Sequence, residues 1–266
     1  MTEKTPFFPA EPQSGVRVRF QVAYVGTGFS GWQIQPHRRT VQGVLAKKVS
    51  FLLGRDVIPV GAGRTDSGVH AQGQVAHVTV ANEAEAERLK RALPGLMPDD
   101  IAISQVQMVP MDFNSRFSAV ARRYSYHLLF RRDIFQPNNW QLRRPLDHQA
   151  MDLAARHFLG SHDCASICKT KSLKPAGNVC HIDLCAFEWL EDSAIFQIRA
   201  NRFLHHMVRI MVGTIVEVGE GTRLPDDIPG ILEARDRSRA GRMAPPEGLF
   251  LEEVYYPVIP TQGDGS

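Results

Sequence analysis

The stretch VRVRFQVAYV, residues 16–25, alternates without a break: Val16, Val18, Phe20, Val22 and Tyr24 share one face, Arg17, Arg19 and Gln21 the other. Neighbouring side chains of a strand point to opposite sides, so this pattern predicts a strand with one face packed and one face wet, as antiparallel sheets allow. Helical signals follow. Thr40 caps an apolar stripe of Val41, Val44, Leu45, Val49 and Leu52 that ends at Gly54. A strand is expected near 56–62, another over 74–80 (QVAHVTV), and a helix from Asn82 to Pro94. The second half repeats the recipe without repeating the sequence. Strands are expected at 119–130, 179–189 and 193–201, a helix capped by Asp147 and closed by Gly160, a longer helix over about 202–218, and a last strand near 249–256. Strand and helix groups in two successive halves predict an α+β fold, largely antiparallel in each half. The expected organisation is a tail at 1–14, one α+β half at 15–114, a second at 115–259 and a tail at 260–266, with 161–178 as a polar, basic loop.

A chain of 266 residues can bury a substantial core. No stretch approaches the roughly 18 continuous apolar residues of a membrane span, and MTEKTPFFPAEPQ lacks the apolar centre of a signal peptide, so a soluble cytoplasmic protein is expected. The formal net charge is only +3, but the cations cluster at Arg122-Arg123, Arg131-Arg132, Arg143-Arg144, Lys169/Lys171/Lys174 and Arg235/Arg237/Arg239/Arg242. Such clusters are either solvated faces or contacts for a polyanion. Cys164, Cys168, Cys180 and Cys185 have spacings that do not match paired structural zinc ligands, so thiols and no metal site are expected.

GAGRTDSGVH, residues 61–70, packs three glycines around one Arg-Thr-Asp. A P-loop needs Lys-Ser/Thr after its last glycine, where Val69 stands, and a dinucleotide fingerprint needs glycine where Asp66 stands. The loop is therefore built around Asp66. One reading is an Asx-turn with Gly68, the other a working carboxylate. Arg64, two residues away, would lie on the same side of an extended loop and hold a carboxylate ionised, or form a routine surface pair. Arg202, His205 and Arg209 fall at i, i+3 and i+7 as a polar ridge on the expected 202–218 helix, either at the surface or lining a cleft. His205 and His206, adjacent on a helix, would point about 100° apart and would not chelate together. Tyr124 and Tyr126 share a strand face after Arg122-Arg123, as core or as a stacking platform for an unstacked base.

Taken together these segments resemble the tRNA pseudouridine synthases of the A type. The ordered matches are YVGTGFSGWQIQP (24–36), TVQGVL (40–45), GAGRTDSGVHAQGQVAHV (61–78), FNSRFSAVARRYSYHL (113–128), NRFLHHMVRIMVGTIVEVG (201–219) and APPEGLFLEEVYYP (244–257). The resemblance implies that Asp66 is the catalytic carboxylate and nucleophile, that Arg64 and Arg209 support it, and that Tyr124 lies against the target uracil. Arg202 and His205 are expected on the substrate-binding side. It implies two similar α+β halves, each a largely antiparallel sheet backed by helices, with the sheets joined side by side around a central RNA-binding cleft. It further implies a homodimer that needs neither cofactor nor metal, acting on uridines 38 to 40 in the anticodon stem-loop of tRNA. Val25 stands where many members have Asp, and Cys164 and Ile167 replace expected aromatics.

Converting uridine to pseudouridine breaks N1–C1′ and joins C5 to C1′ with no net change in composition, once the nucleotide has left its stack. Asp66 can attack C1′, remove a C2′ proton or attack uracil C6. The alternatives from other classes are a non-catalytic RNA-binding or tRNA-folding protein, and a zinc-dependent deaminase, whose Pro-Cys-x-x-Cys pattern is absent.

Overall fold

The structure is a computed structural model that describes residues 14–173 and 177–257. The expected terminal tails lie outside the described residues, apart from Ser14. The chain forms two compact units, one comprising residues up to Ala119 together with Tyr256 and Pro257, the other Val120–Tyr255. Both mix helices with antiparallel strands, so the fold is α+β.

In the first unit β1 (Val16–Tyr24) lies between β3 (His70–Val80) and β4 (Ile101–Val109), antiparallel to both, and the short β2 (Val60–Gly61) pairs with β3. Val18, Phe20, Val22 and Tyr24 are buried as the alternation requires. The opposite face is less wet than it reads. Arg17 is buried, and the Arg19 guanidinium lies 5.8 Å from the ring centre of Phe113 and 5.4 Å from that of Tyr256, two aromatics that cover the cationic side of β1.

Helix α1 (Val41–Leu53) starts where Thr40 accepts the Gly43 N–H and stops where Gly54 turns left-handed, φ 66°. Helix α2 (Glu83–Ala92) is capped by Asn82, which accepts the Glu85 N–H, and carries acids in its first turn and bases in its last. Strand β3 runs four residues further back than its apolar core suggests. His70, Gln74 and His77 are buried in it and hydrogen-bonded, so polar letters that resemble loop belong to sheet. Strand β4 was not legible: its alternation breaks at Ser104-Gln105, where the register with β1 slips and Gln105 takes φ 50°.

In the second unit the strand order is β10 (Leu249–Tyr255), β5 (Ala121–Leu129), β9 (Ser193–Ala200), β8 (Val179–Trp189), β7 (Gly160–Asp163), all antiparallel. The short β6 (Trp140–Gln141) runs parallel to the end of β5. Helix α3 (His148–Arg156) is capped by Asp147 through the Ala150 N–H. Helix α4 (Met207–Gly219) is buried almost all round. Helix α5 (Asp227–Ala234) escapes sequence reading because Pro229 and Gly230 interrupt it, yet Pro229 sits in the first turn, where its missing N–H has no intrahelical partner to lose. The expected 161–178 loop is largely structure: β7 occupies its start, and Cys164, Ala165, Ile167 and Cys168 are buried. No helix among the described residues is long and apolar enough to cross a membrane.

Candidate active site

Asp66 sits in the connection from β2 to β3, half-buried on a loop whose backbone is fixed from one side. The segment 26–32 lies against it. The Trp32 N–H donates to the Thr65 carbonyl at 3.1 Å and the Gly68 N–H to the Phe29 carbonyl at 3.3 Å, while the Ser67 hydroxyl also reaches Phe29 O. Tyr24, from the packed face of β1, shares a buried 2.8 Å hydrogen bond between its hydroxyl and that of Thr65. The turn closes on itself through Val69 N–H to Asp66 O at 3.2 Å, with Gly68 at φ 81°.

Close backbone approach is possible because the facing segment has no side chains at two points. A Cβ on Gly26 would stand 2.0 Å from the Val69 carbonyl oxygen, and one on Gly31 2.7 Å from that of Thr65. At the base of the loop, Gln74 donates to the Gly63 carbonyl at 2.9 Å and the Ala62 N–H to Val75 O at 2.8 Å. The segment opposite is itself clamped. Arg39 pairs with both oxygens of Asp100 at 2.6 and 2.9 Å and lies 4.0 Å from the ring centre of Phe29. The Arg39 hydrogen bonds hold the Asp100 carboxyl below its ordinary value. Arg64 is exposed.

The second unit carries the other candidates. The expectation of one long helix over 202–218 is corrected: α4 begins at Met207. His206 takes a left-handed conformation, φ 68°, which ends any right-handed helix there, and the His205 carbonyl accepts the Lys169 N–H at 2.9 Å rather than a helical one. Arg202, His205 and Arg209 therefore do not form one helical ridge. Arg202 is half-buried and His205 exposed in the turn before the helix, and Arg209 is buried on α4. The helical argument that keeps His205 and His206 apart fails with it, and their rings stand 4.1 Å apart.

Arg209 is held by a strap at residues 240–245, a stretch that the sequence marks only through the Arg242 cluster and the start of the 244–257 match. Its Nε donates to the Ala244 carbonyl at 2.8 Å, and the Ala244 N–H returns a bond to the Arg209 carbonyl at 2.9 Å. The next carbonyl, Pro245, accepts the Tyr126 hydroxyl at 2.7 Å. Further along, Gly241 N–H reaches Thr214 and Arg242 N–H reaches Glu217, while the Arg242 guanidinium grips both oxygens of Glu220. Gly213 on α4 admits the strap: a Cβ there would stand 1.9 Å from the Arg242 carbonyl oxygen. The signal in the sequence was the small-residue pair Gly213 and Gly241.

Tyr124 and Tyr126 differ in environment. Tyr126 is fully buried, and burial, with the Glu247 carboxylate adding and Arg209 opposing, pushes its hydroxyl far above the usual range, so it stays a donor. Tyr124 is half-buried, its ring meeting Phe203 edge-on at 4.9 Å. The four cysteines are buried thiols, and Cys164 and Cys180 hydrogen-bond to each other. Within either unit, no three metal-ligating side chains converge among the described residues.

Chemically, each unit offers a different component. The first presents one carboxylate on a rigid loop; the second presents a guanidinium of fixed plane and an aromatic face. The tRNA pseudouridine synthase family matches residues 21–118 and 154–257. Three relatives named tRNA pseudouridine synthase A illustrate the likeness. That of Acetivibrio thermocellus is 39% identical over 90% of this chain and 99% of its own length. That of Halalkalibacterium halodurans is 42% identical over 88% and 90%, and that of Bacillus subtilis 40% identical over 91% and 99%. Among solved structures, a Cbf5-Nop10-Gar1 complex covers 74% of this chain and 54% of its own at 9% identity and a TM-score of 0.35, too slight a likeness to carry an argument. With a family match that takes in the Asp66 loop and the Arg209 helix, and relatives matched over nearly their whole length, this chain belongs to the tRNA pseudouridine synthase family.

Proposed function

We propose that this chain isomerises uridine to pseudouridine at positions 38 to 40 in the anticodon stem-loop of tRNA, with Asp66 as the nucleophile. The observation that carries the assignment of Asp66 is its loop: a single half-buried carboxylate whose backbone is held by Trp32 and Phe29, with the neighbouring Thr65 side chain held by Tyr24. Such fixing favours a reaction that needs one group held in register with a flipped nucleotide. The carboxylate bonds to C1′ as N1–C1′ breaks. The uracil turns, C5 bonds to C1′ and displaces the carboxylate, and the C5 proton is lost while N1 gains one. Atoms balance, and no co-substrate is consumed.

Arg64 and Arg209 support the catalytic carboxylate, a role that suits a planar guanidinium able to meet both carboxylate oxygens. Tyr124 stacks on the uracil, and its hydroxyl takes part in the C5 proton transfer. Arg202 and His205 bind the RNA. The reading requires the two halves to stand side by side around a central RNA-binding cleft, and it takes the active protein to be a cytoplasmic homodimer working without cofactor or metal. The half boundary near 110–118 and the 15–114 and 115–259 domains belong to the same proposal.

The test is pseudouridine mapping in tRNA incubated with purified protein and with Asp66→Asn. The wild type should modify the anticodon stem-loop, and the variant should bind tRNA but leave uridine intact. Wild-type binding without any pseudouridine would establish the alternative of a non-catalytic RNA-binding or tRNA-folding protein.

A further inference from the structure

The turn that follows β5 shows a combination that the proposed chemistry does not use. Ile134 and Phe135 are 71% and 87% exposed, side by side at its tip. An exposed Phe beside an exposed Ile on a wandering loop would be unremarkable. Here the turn is built to hold them out. Asp133 accepts the Phe135 N–H at 2.9 Å and pairs with Arg131, and those contacts, the first foremost, hold its carboxyl below the ordinary range. Gln141 closes the base, accepting the Asp133 N–H and donating to the Asp133 carbonyl, and the Asn139 side chain donates to the Gln136 carbonyl. Arg131 also pairs with Asp192.

Cations gather at the base of this turn. The parallel register Leu128↔Trp140 and Leu129↔Gln141 carries the chain out of the sheet so that Arg143-Arg144 leave alongside Arg131-Arg132. Arg131 is neutralised by its two aspartates. Arg132, Arg143 and Arg144 are exposed, and none of the three forms an ion pair among the described residues. Four arginines in residues 131–144 stand against Asp133 and Asp192, a net +2. An apolar protein partner would not need this charge, whereas RNA offers both a phosphate backbone and aromatic bases.

We propose that Ile134, Phe135, Arg132, Arg143 and Arg144 form a second docking surface for tRNA, Phe135 stacking on an accessible base and the arginines contacting phosphates. The inference rests on tRNA being the substrate. Leu129, where β5 ends and the turn begins, lies five residues beyond Tyr124, about 17 Å at the rise of a strand. The surface therefore grips RNA other than the nucleotide stacked on Tyr124, and supplies binding that is equal in ground and transition states.

The test uses the purified full chain, whole tRNA and an isolated anticodon stem-loop RNA, with Phe135→Ala and the triple variant Arg132→Gln, Arg143→Gln, Arg144→Gln. All four sites are exposed, so folding should be unaffected. Phe135→Ala should weaken whole-tRNA binding on the order of ten-fold, as loss of one stacked base does. The triple variant should lower the slope of log K against log salt by about 2 to 3. In both, KM for whole tRNA should rise with kcat at saturation unchanged, and binding of the stem-loop should be unaltered. Wild-type affinity and salt slope in both variants would overturn the proposal, as would an equal loss on the stem-loop. Changed self-association in sedimentation with unchanged RNA affinity would mark the surface as protein-facing and overturn it too. A wild type that binds tRNA but makes no pseudouridine would sink the catalytic reading alone, since the binding measurements still decide this surface.

Discussion

Gly31→Ala should impair catalysis through backbone displacement without touching a reacting group. Gly31 has φ 86°, and a Cβ added there would stand 2.7 Å from the Thr65 carbonyl oxygen, 3.1 Å from the Asp66 carbonyl carbon and 3.2 Å from the Ser67 nitrogen. Those atoms are backbone and cannot rotate away. Ordinary contact requires the 65–67 segment to retreat by roughly half an ångström or more. A misplacement of about 1 Å can cost about a hundred-fold in rate, so a loss on the order of ten-fold is expected for half that shift.

The left-handed backbone itself costs roughly 1–2 kcal/mol for a residue with a Cβ, small beside the roughly 5–15 kcal/mol that separates folded from unfolded chains. The variant should therefore fold. Gly54→Ala separates the two effects, because Gly54 has φ 66° but nothing within 4 Å of the added carbon. Both variants should lose a few degrees of Tm, and only Gly31→Ala should slow turnover. The assay is single-turnover release of tritium from C5 of uridine in saturating tRNA, since that hydrogen is lost when C5 bonds to C1′. Equal rates for Gly31→Ala and Gly54→Ala would refute the claim that the 26–32 segment positions Asp66.

Three further outcomes follow from the same geometry. Tyr124→Phe keeps the aromatic face and removes the hydroxyl, so tRNA affinity should persist while the C5 tritium release rate falls; an unchanged rate would leave Tyr124 with stacking alone. Arg209→Lys keeps the charge but loses the Nε bond to Ala244 and the fixed plane, and should cost roughly ten-fold or more in kcat, read at saturating tRNA with circular dichroism as a check on folding. Asp100, held below its ordinary value chiefly by its hydrogen bonds to Arg39, stabilises the fold only while ionised. That contribution is present above the unfolded carboxyl value and is lost as pH falls through the lower folded one. The pair is partly exposed, so the urea midpoint of Asp100→Asn should lie below the wild type at pH 7 by an amount worth at most about 1 kcal/mol, and the gap should close as pH falls below the ordinary carboxylate range.

Elements with a local cause were readable. Thr40, Asn82 and Asp147 cap the helices they were expected to cap, because the cap bond needs only a side chain and an N–H three residues on. Elements fixed from a distance were not. The start of α4 depends on Lys169 taking the His205 carbonyl, and no pattern within 201–210 records that contact. Likewise β4 pairs through a bulge, and Arg19 is covered by Phe113 and Tyr256, which lie far along the chain. At the site, the Asp66 loop stood out because its glycines and single Asp are contiguous. The strap that orients Arg209 did not, because its effect passes through two main-chain carbonyls.

The same device recurs in both units. Gly63, three residues before Asp66, has nothing within 4 Å of an added Cβ, so its bareness serves no packing contact. Gly26 and Gly31 do something else: they let a second backbone segment press against the loop from behind. Around Arg209, Gly213 admits the strap whose Ala244 carbonyl fixes the guanidinium. In each case a missing side chain brings a rigid carbonyl or N–H into contact with the segment bearing the functional group. Main-chain groups have fewer free torsions than side chains, so placement by them leaves less to reorganise during reaction. An isomerase that must hold C1′ while a base turns benefits from this, because nothing else in the balanced equation can supply driving force for repositioning. Substitutions behind the site should accordingly lower kcat more than they raise KM, whereas those on the 131–144 surface should do the reverse.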